Sequence, residues 1–238
     1  MASGKKIVIY STSDGQEGSL YDKMLDETSK LNQYYADKYS HTYKTFRGLK
    51  VGNVAANAMY NKVYLAKEEL DAGEYDWFVC LDADSYIWHM ENDFIDLLIE
   101  SYGDKFMMKG KMGDGPWSWS SPLFVNLKHE YSSTLLDGWI GEIDKVSSDI
   151  LFSLLSVKER TDAQKHDRDL MYDYLQSQPE GEISSLRHLN NNQFLFEDQY
   201  TSYENSIFIQ HFGASTETEL KLGFIETRVT DRLLSLGI

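Results

Sequence analysis

Short apolar runs alternate with amphipathic helical segments along this chain, and this alternation constrains its fold more than any other feature of the sequence. Runs rich in aromatic and β-branched residues suit strands that are covered on both faces. Apolar residues spaced three and four apart between these runs predict helices that pack on the strands. The pattern is typical of an α/β domain with a mainly parallel central sheet flanked by helices.

The same patterns predict the individual elements. The predicted strands are 5–12, 41–46, the run that ends at Asp82, 105–110 and 206–213; the predicted helices are 19–38, 54–70, 92–103 and two or three more within about 127–178. Asn53 and Asn92 are interpreted as N-caps, and Gly103 as a C-cap. No repeat or interdomain linker stands out, so we expect residues 1–238 to form one domain.

One predicted strand runs directly into two acids, in the sequence WFVCLDAD at residues 77–84. Alternate residues of an extended chain point the same way, which would put Asp82 and Asp84 on one side. Two neighbouring carboxylates repel each other unless a proton or a cation lies between them. Because ligands of such sheets bind beyond the carboxyl ends of the strands, we expect Ser11–Ser13, Asp82, Asp84 and His211 to lie close together.

The residue types in this group favour a metal site. Mg²⁺ and Mn²⁺ prefer oxygen ligands, and an imidazole can complete a manganese site, so Asp82, Asp84 and His211 are the predicted ligands. Alternatively, the two acids cap turns or the next helix. An EF-hand loop is disfavoured because Tyr86-Ile87-Trp88 lacks its further acid and glycine. A haloacid dehalogenase-like phosphatase would place such a pair in its first strand.

Composition and charge narrow the classes of partner. The formal net charge of −15 argues against nucleic acid or an anionic membrane as the main partner. No apolar run reaches transmembrane length, and the run near the N-terminus is too short for a signal peptide. The single cysteine, Cys80, suits a buried strand. We therefore expect a soluble, cytoplasmic protein without a membrane span.

Several segments together resemble a known family. YDWFVCLDADSYI, with IQHFGAS after it and a strand ending in YSTS before it, resembles the nucleotide-sugar-dependent glycosyltransferases of the GT-A (Rossmann-like) fold. The nearest groups are retaining: the glycogenin and bacterial galactosyltransferase group, and the xyloglucan xylosyltransferase and yeast mannosyltransferase group. The chain also resembles the first domain of an algal-virus glycosyltransferase that makes rhamnosyl links. The resemblance implies a nucleotide-binding half at about 1–110 and an acceptor-side half at about 111–238.

The resemblance also implies roles for single residues. It places Ser11, Thr12 and Ser13 at the uridine and adds Lys62, on the helix before the acid pair, as a further nucleotide-binding residue. Asp82 would contact both the nucleotide and the metal. SPLFVNL resembles a segment whose Asn, here Asn126, lies on the acceptor side. VSSDILFSLL resembles a segment whose second acid, here Asp149, is catalytic.

The third metal ligand would be His211. The lysine that these families carry shortly after the following glycine is absent; Ser215 and Thr216 stand there, and Lys221 lies further on. Asp198 is a second catalytic candidate because Phe196-Glu197-Asp198 precedes the strand of His211. Trp117 and Trp119 are candidates for stacking on a sugar, against the alternative of ordinary packing.

The predicted function is metal-dependent transfer of a hexose or deoxyhexose from a UDP-sugar to a glycan or other hydroxyl acceptor, with retention and with Mn²⁺ or Mg²⁺ as cofactor. A divalent cation on both phosphates would stabilise the charge that grows on the leaving UDP. Two alternatives use the same residues. One is a metal-dependent phosphatase or nucleotidyltransferase, and the other is a carbohydrate-binding module without catalysis.

Overall fold

A six-stranded sheet lies at the centre of the computed structural model, which describes residues 4–111, 119–146, 166–179, 186–189, 195–197, 208–212 and 218–238. Its strands are β1 (Ile7–Ser13), β2 (Thr42–Arg47), β3 (Trp77–Asp82), β5 (Met107–Lys111), β6 (Trp119–Asn126) and β7 (Leu186–Leu189). Their order across the sheet is β2-β1-β3-β6-β5-β7. Within the described residues, β6 alone runs against its neighbours. The predicted α/β architecture with a mainly parallel central sheet is therefore confirmed.

A second, smaller sheet begins where β3 ends. It consists of β4 (Ser85–Ile87), β8 (Leu195–Glu197) and β9 (Ile209–His211), in the order β4-β9-β8. β4 pairs antiparallel with β9, and Ser85 lies opposite His211. This pairing brings a residue from late in the chain to the carboxyl end of β3.

Helices cover both faces of the central sheet. They are α1 (Leu20–Tyr39), α2 (Asn61–Ala72), α3 (Phe94–Tyr102), α4 (Ser132–Lys145), α5 (Asp167–Gln176) and α6 (Thr218–Leu236), with a 3-10 helix at Ala55–Tyr60. One core lies beneath α1, α3 and α6 and takes Ile7 and Ile9 of β1. The other lies beneath α2, α4 and α5 and takes Val8 and Tyr10, as strand alternation requires.

The helix caps differ slightly from those predicted. Asn53 and Asn92 each lie one residue before the observed cap. Asn57, inside the 3-10 helix, accepts hydrogen bonds from the backbone N–H groups of Asn53 and Val54 at 3.2 and 3.1 Å. Asp93 caps α3 by accepting from the N–H of Asp96 at 3.1 Å. The carboxylate of Asp93, which also accepts hydrogen bonds from other donors, therefore caps α3 in place of the amide of Asn92.

No helix among the described residues is both long enough and apolar enough to span a lipid bilayer.

Candidate active site

The carboxyl ends of β1 and β3 meet at one edge of the central sheet. Thr12 lies opposite Asp82 in the parallel register. The hydroxyl of Ser13 donates to Asp22 at 2.6 Å, and the hydroxyl of Ser11 accepts from the amide of Asn32 at 3.3 Å. The predicted juxtaposition of the first strand with the acid pair is therefore present, and Ser11 and Ser13 are held in place by α1.

The acid pair and His211 converge at this edge. One ligand atom from each of Asp82, Asp84 and His211 lies within 4.8 Å of the other two. The Nε2 atom of His211 is 3.3 Å from Asp84 Oδ1 and 3.8 Å from Asp82 Oδ2. Two carboxylates and an imidazole are a donor set that suits Mn²⁺ or Mg²⁺. These residues could hold a divalent metal ion.

Strand alternation does not bring the two acids together, contrary to the sequence-based expectation. β3 ends at Asp82, and Asp84 lies in the turn before β4. The pairing of Ser85 with His211 fixes that turn from the other side. The cluster therefore depends on the second sheet as well as on β3.

Asp84 is ionised although it is buried, with 4% of its surface exposed. Burial alone would raise the pKa of its carboxyl group. His211 and Lys221 outweigh burial and lower the pKa of Asp84 to about 2. The Nζ atom of Lys221 lies 3.1 Å from Asp84 Oδ2. The charge of this acid is thus stabilised by the cations of the protein itself.

Lys62 joins the acid pair to a third carboxylate. Its Nζ atom lies 3.2 Å from Asp82 Oδ1 and 3.1 Å from Asp167 Oδ2. Burial alone would lower the pKa of Lys62, but Asp167 and Asp82 raise it above its ordinary value. Burial raises and Lys62 lowers the pKa of Asp167, and the net shift is downward. Lys62 and Asp167 are therefore both charged at neutral pH.

The sequence-based reasoning missed Asp167 and Lys221 as site residues. Asp167 begins α5, where acids are common as helix-start residues, and its sequence gives no further signal. Lys221 follows His211 by ten residues, outside the spacing that the resemblance implies. Only the packing of α5 and α6 against the sheet brings these two side chains to the acid pair.

Tyr21 is a further residue of this region that sequence reasoning missed. Its ring lies 5.8 Å from the ammonium group of Lys221, and 41% of its surface is exposed. Partial burial and the neighbouring Asp84, Asp82 and Asp14 raise the pKa of its hydroxyl to about 12. Tyr21 therefore presents a neutral aromatic side chain beside the metal-ligand cluster.

Asn126, for which the resemblance implies an acceptor-side role, lies at the opposite end of β3 from the acid pair, and that role stays a prediction. It pairs with Trp77, at the start of β3, because β6 runs antiparallel. Its amide donates to the carbonyl oxygen of Gly103 at 3.1 Å. The β6 residue that meets the acid pair is Ser121, whose hydroxyl accepts from the N–H of Asp82 at 3.0 Å.

The remaining predicted site residues lie at the margin of the described structure or outside it. Trp119 begins β6, opposite Lys111. Trp117, Asp149 and Asp198 lie outside the described residues, so their predicted roles stay predictions.

Comparisons with known proteins bear on the fold. No protein-family model matches the sequence, and neither does any curated protein. A solved structure of a glycosyltransferase involved in the glycosylation of the major capsid of PBCV-1 matches with a TM-score of 0.63. The sequences are 12% identical, and the match covers 93% of this chain and 99% of that one.

Two longer glycosyltransferases also match. GlyE of Streptococcus pneumoniae TIGR4 has a TM-score of 0.51 and 12% identity, over 98% of this chain and 64% of GlyE. The bifunctional WbbM has a TM-score of 0.55 and 10% identity, over 96% of this chain and 52% of WbbM. Identities this low establish the fold alone. The GT-A fold predicted from the resemblance is confirmed.

Proposed function

We propose that this GT-A chain is a metal-dependent glycosyltransferase that moves a hexose or deoxyhexose from a UDP-sugar to a glycan or other hydroxyl acceptor. The observation that carries the proposal is the cluster of Asp82, Asp84 and His211 at the carboxyl edge of the sheet, with ligand atoms within 4.8 Å. Ligand sites of open α/β sheets lie at this edge. The glycosyltransferase neighbours of the same fold support the assignment.

The three clustered residues would hold Mn²⁺ or Mg²⁺. Such an ion, when bound, neutralises charge on a leaving diphosphate. Lys221 lies 3.1 Å from Asp84 and Lys62 lies 3.2 Å from Asp82, so a metal ion would share these carboxylates with two lysines of the protein. The protein carries a formal net charge of −15, so an anionic nucleotide needs local cations to bind.

The nucleoside would lie beside the end of β1. The hydroxyls of Ser11 and Ser13 are bonded to α1, so Thr12 and the strand backbone would make the contacts, and Tyr21 would supply an aromatic face. This arrangement supports the predicted uridine contacts.

The donor sugar would lie near Lys62 and Asp167. Glycosyl transfer passes through an oxocarbenium-like state, which a fixed carboxylate stabilises. Asp167 is ionised and is held 3.1 Å from Lys62, so it adds to Asp149 and Asp198 as a candidate for this role. The sugar-stacking role of Trp117 and Trp119 and the division at about residue 110 remain predictions, as does the cytoplasmic location.

The decisive experiment measures the release of UDP from a panel of UDP-sugars with hydroxyl acceptors, in Mn²⁺ and in EDTA. We expect release with at least one donor and its loss in EDTA. Asp84→Ala and His211→Ala should each remove most of the Mn²⁺-dependent activity. Asp71→Ala, which changes an exposed acid of α2, is the matched control and should keep it.

Other outcomes of the same panel separate the competing functions. Release of inorganic phosphate would indicate a phosphatase or nucleotidyltransferase. Sugar binding without any product would indicate a carbohydrate-binding module. Full turnover in EDTA would contradict the role of the metal.

Retention of the anomeric configuration is part of the proposal and rests on the resemblance to retaining groups. The anomeric proton of the product, followed by NMR from the first turnovers, reports the configuration directly. An inverted product would contradict retention and would make Asp149 a candidate general base.

A further inference from the structure

Lys221 is a buried lysine whose charge is compensated by a predicted metal ligand. Only 2% of its surface is exposed. Its Nζ atom lies 3.1 Å from Asp84 Oδ2, and the other oxygen of Asp84 faces His211 at 3.3 Å. Both oxygens of Asp84 are therefore engaged by cationic or hydrogen-bonding groups of the protein before any ligand arrives.

A metal ion that binds Asp84 must compete with this lysine. A cation bound to the carboxylate weakens its attraction for Lys221, and the ammonium group would lose its charge partner while still buried. A buried charge without a partner is costly. The ring of Tyr21, 5.8 Å from the ammonium group, compensates such a charge only weakly. Binding of a metal ion without nucleotide should therefore carry a free-energy cost.

A nucleotide diphosphate removes that penalty because it brings a new anion. We infer that Lys221 is a transferable counter-cation: Asp84 holds it in the metal-free site, and the diphosphate takes it over when metal and nucleotide bind together. The inference rests on the proposed function and names the residue that couples the two ligands. It also assigns the diphosphate contact to α6, although the sequence lacks a lysine shortly after His211.

The inference predicts opposite effects of one substitution on two affinities. Lys221→Met keeps most of the length of the side chain and removes its charge. Mn²⁺ alone should bind Lys221→Met at least about fivefold more tightly, because Asp84 no longer has a competing cation. UDP in saturating Mn²⁺ should bind at least about fivefold more weakly, because the diphosphate loses the ammonium group.

Two isothermal titrations test this, one of Mn²⁺ alone and one of UDP in saturating Mn²⁺, with circular dichroism as the check of folding. Lys221→Arg keeps the positive charge, so its affinities for Mn²⁺ alone and for UDP in saturating Mn²⁺ should return towards those of the parent protein. Lys145→Met, which changes an exposed lysine at the end of α4, should alter neither affinity. If Lys221→Met does not fold, Lys221→Gln takes its place in both titrations and should give the same pair of shifts.

The outcomes distinguish this inference from the proposed function. A parent protein that binds neither Mn²⁺ nor UDP would overturn both. A parent protein that binds both ligands, with a neutral variant in which both affinities fall together, would show that Lys221 has only a structural role. Unchanged affinity for Mn²⁺ or for UDP in that variant would equally overturn the inference.

Discussion

Each acid of the pair has its own lysine. Lys62 lies 3.2 Å from Asp82 and Lys221 lies 3.1 Å from Asp84, with the imidazole of His211 between the two carboxylates. Mutual repulsion of the acids would by itself favour a shared proton. The pKa of Asp84 is instead lowered to about 2, because His211 and Lys221 compensate its charge. Asp84 therefore remains ionised down to acidic pH.

Lys62 and Asp167 should act as a unit. Lys62→Met and Asp167→Asn should each lower kcat/KM about tenfold or more, because the first leaves Asp167 without this cation and the second leaves Lys62 with Asp82 alone of the two carboxylates. The double variant should be little worse than either single variant, which a double-mutant cycle measures. Lys67→Met, on the same helix but paired with Asp71, should keep full activity. Additive losses would show that the two residues act independently.

The carboxylate of Asp93 should make stability depend on pH. Burial raises its pKa, but hydrogen bonds from His41, Tyr35 and the N–H of Asp96 outweigh burial and lower it. A carboxyl group whose pKa is lowered in the folded state stabilises the protein at pH values above its ordinary pKa of about 3.9. This stabilisation disappears as the pH falls through the lower pKa of the folded state.

Asp93→Asn should therefore reduce the free energy of unfolding by about 1–3 kcal/mol at pH 7, because it removes hydrogen bonds to a charged group. The difference from the parent protein should shrink below pH 4. Urea titrations at several pH values measure both effects. Asp71→Asn, in a surface pair with Lys67, is the control and should change stability by less than about 1 kcal/mol. A difference that does not vary with pH would contradict the role of the charge.

At the scale of elements, helix packing decides where Asp167 lies. The indole N–H of Trp139, in α4, donates to the carbonyl oxygen of Asp167 at 2.9 Å. Further along the same two helices, Gly138 faces the ring of Tyr174, where a Cβ atom would overlap the ring. The close approach of α4 and α5 thus positions a carboxylate that is distant in sequence from the acid pair.

Gly138→Ala should separate these helices. We expect a loss of about 1–3 kcal/mol in the free energy of unfolding, from overpacking, together with a fall in kcat/KM as Asp167 moves. Gly141→Ala is the matched control, since it lies in the same helix with no atom within 4 Å of the added Cβ atom. It should stabilise the protein by up to about 1 kcal/mol through helix propensity. Equal effects of the two variants in thermal unfolding would contradict this packing argument.

At the scale of the whole molecule, the site joins two sheets and a late helix. Asp82 ends a strand of the larger sheet, His211 ends a strand of the smaller one, and Lys221 lies in α6. A ligand that binds all three should stabilise these parts of the molecule together. Ligands that bind only the native state raise stability by about 2.7 kcal/mol at a hundredfold excess over Kd.

Hydrogen exchange measures this coupling. Mn²⁺ and UDP together should slow exchange in residues 10–13, in 209–212 and in the first turns of α6, because opening any of them breaks the site. Residues 132–145 of α4, on the opposite face of the sheet, serve as the internal control and should change least. Protection confined to β1 and β3 would show that the second sheet does not take part in binding.

The sequence by itself determined about half of the strands, most helices and the candidates for the metal site. Periodicity predicted β1, β2, β3, β5 and β9, since it records which faces are buried, and the end of an apolar strand marked Asp82 and Asp84. It did not predict β4, β6, β7, β8 or α6. Tertiary structure alone decided three things. Because β6 runs antiparallel, Asn126 lies at the opposite end of β3 from the acid pair. The packing of α5 brought Asp167 to Lys62. The packing of α6 brought Lys221 to Asp84. These contacts join residues separated by scores of positions, and local patterns carry no record of such pairings.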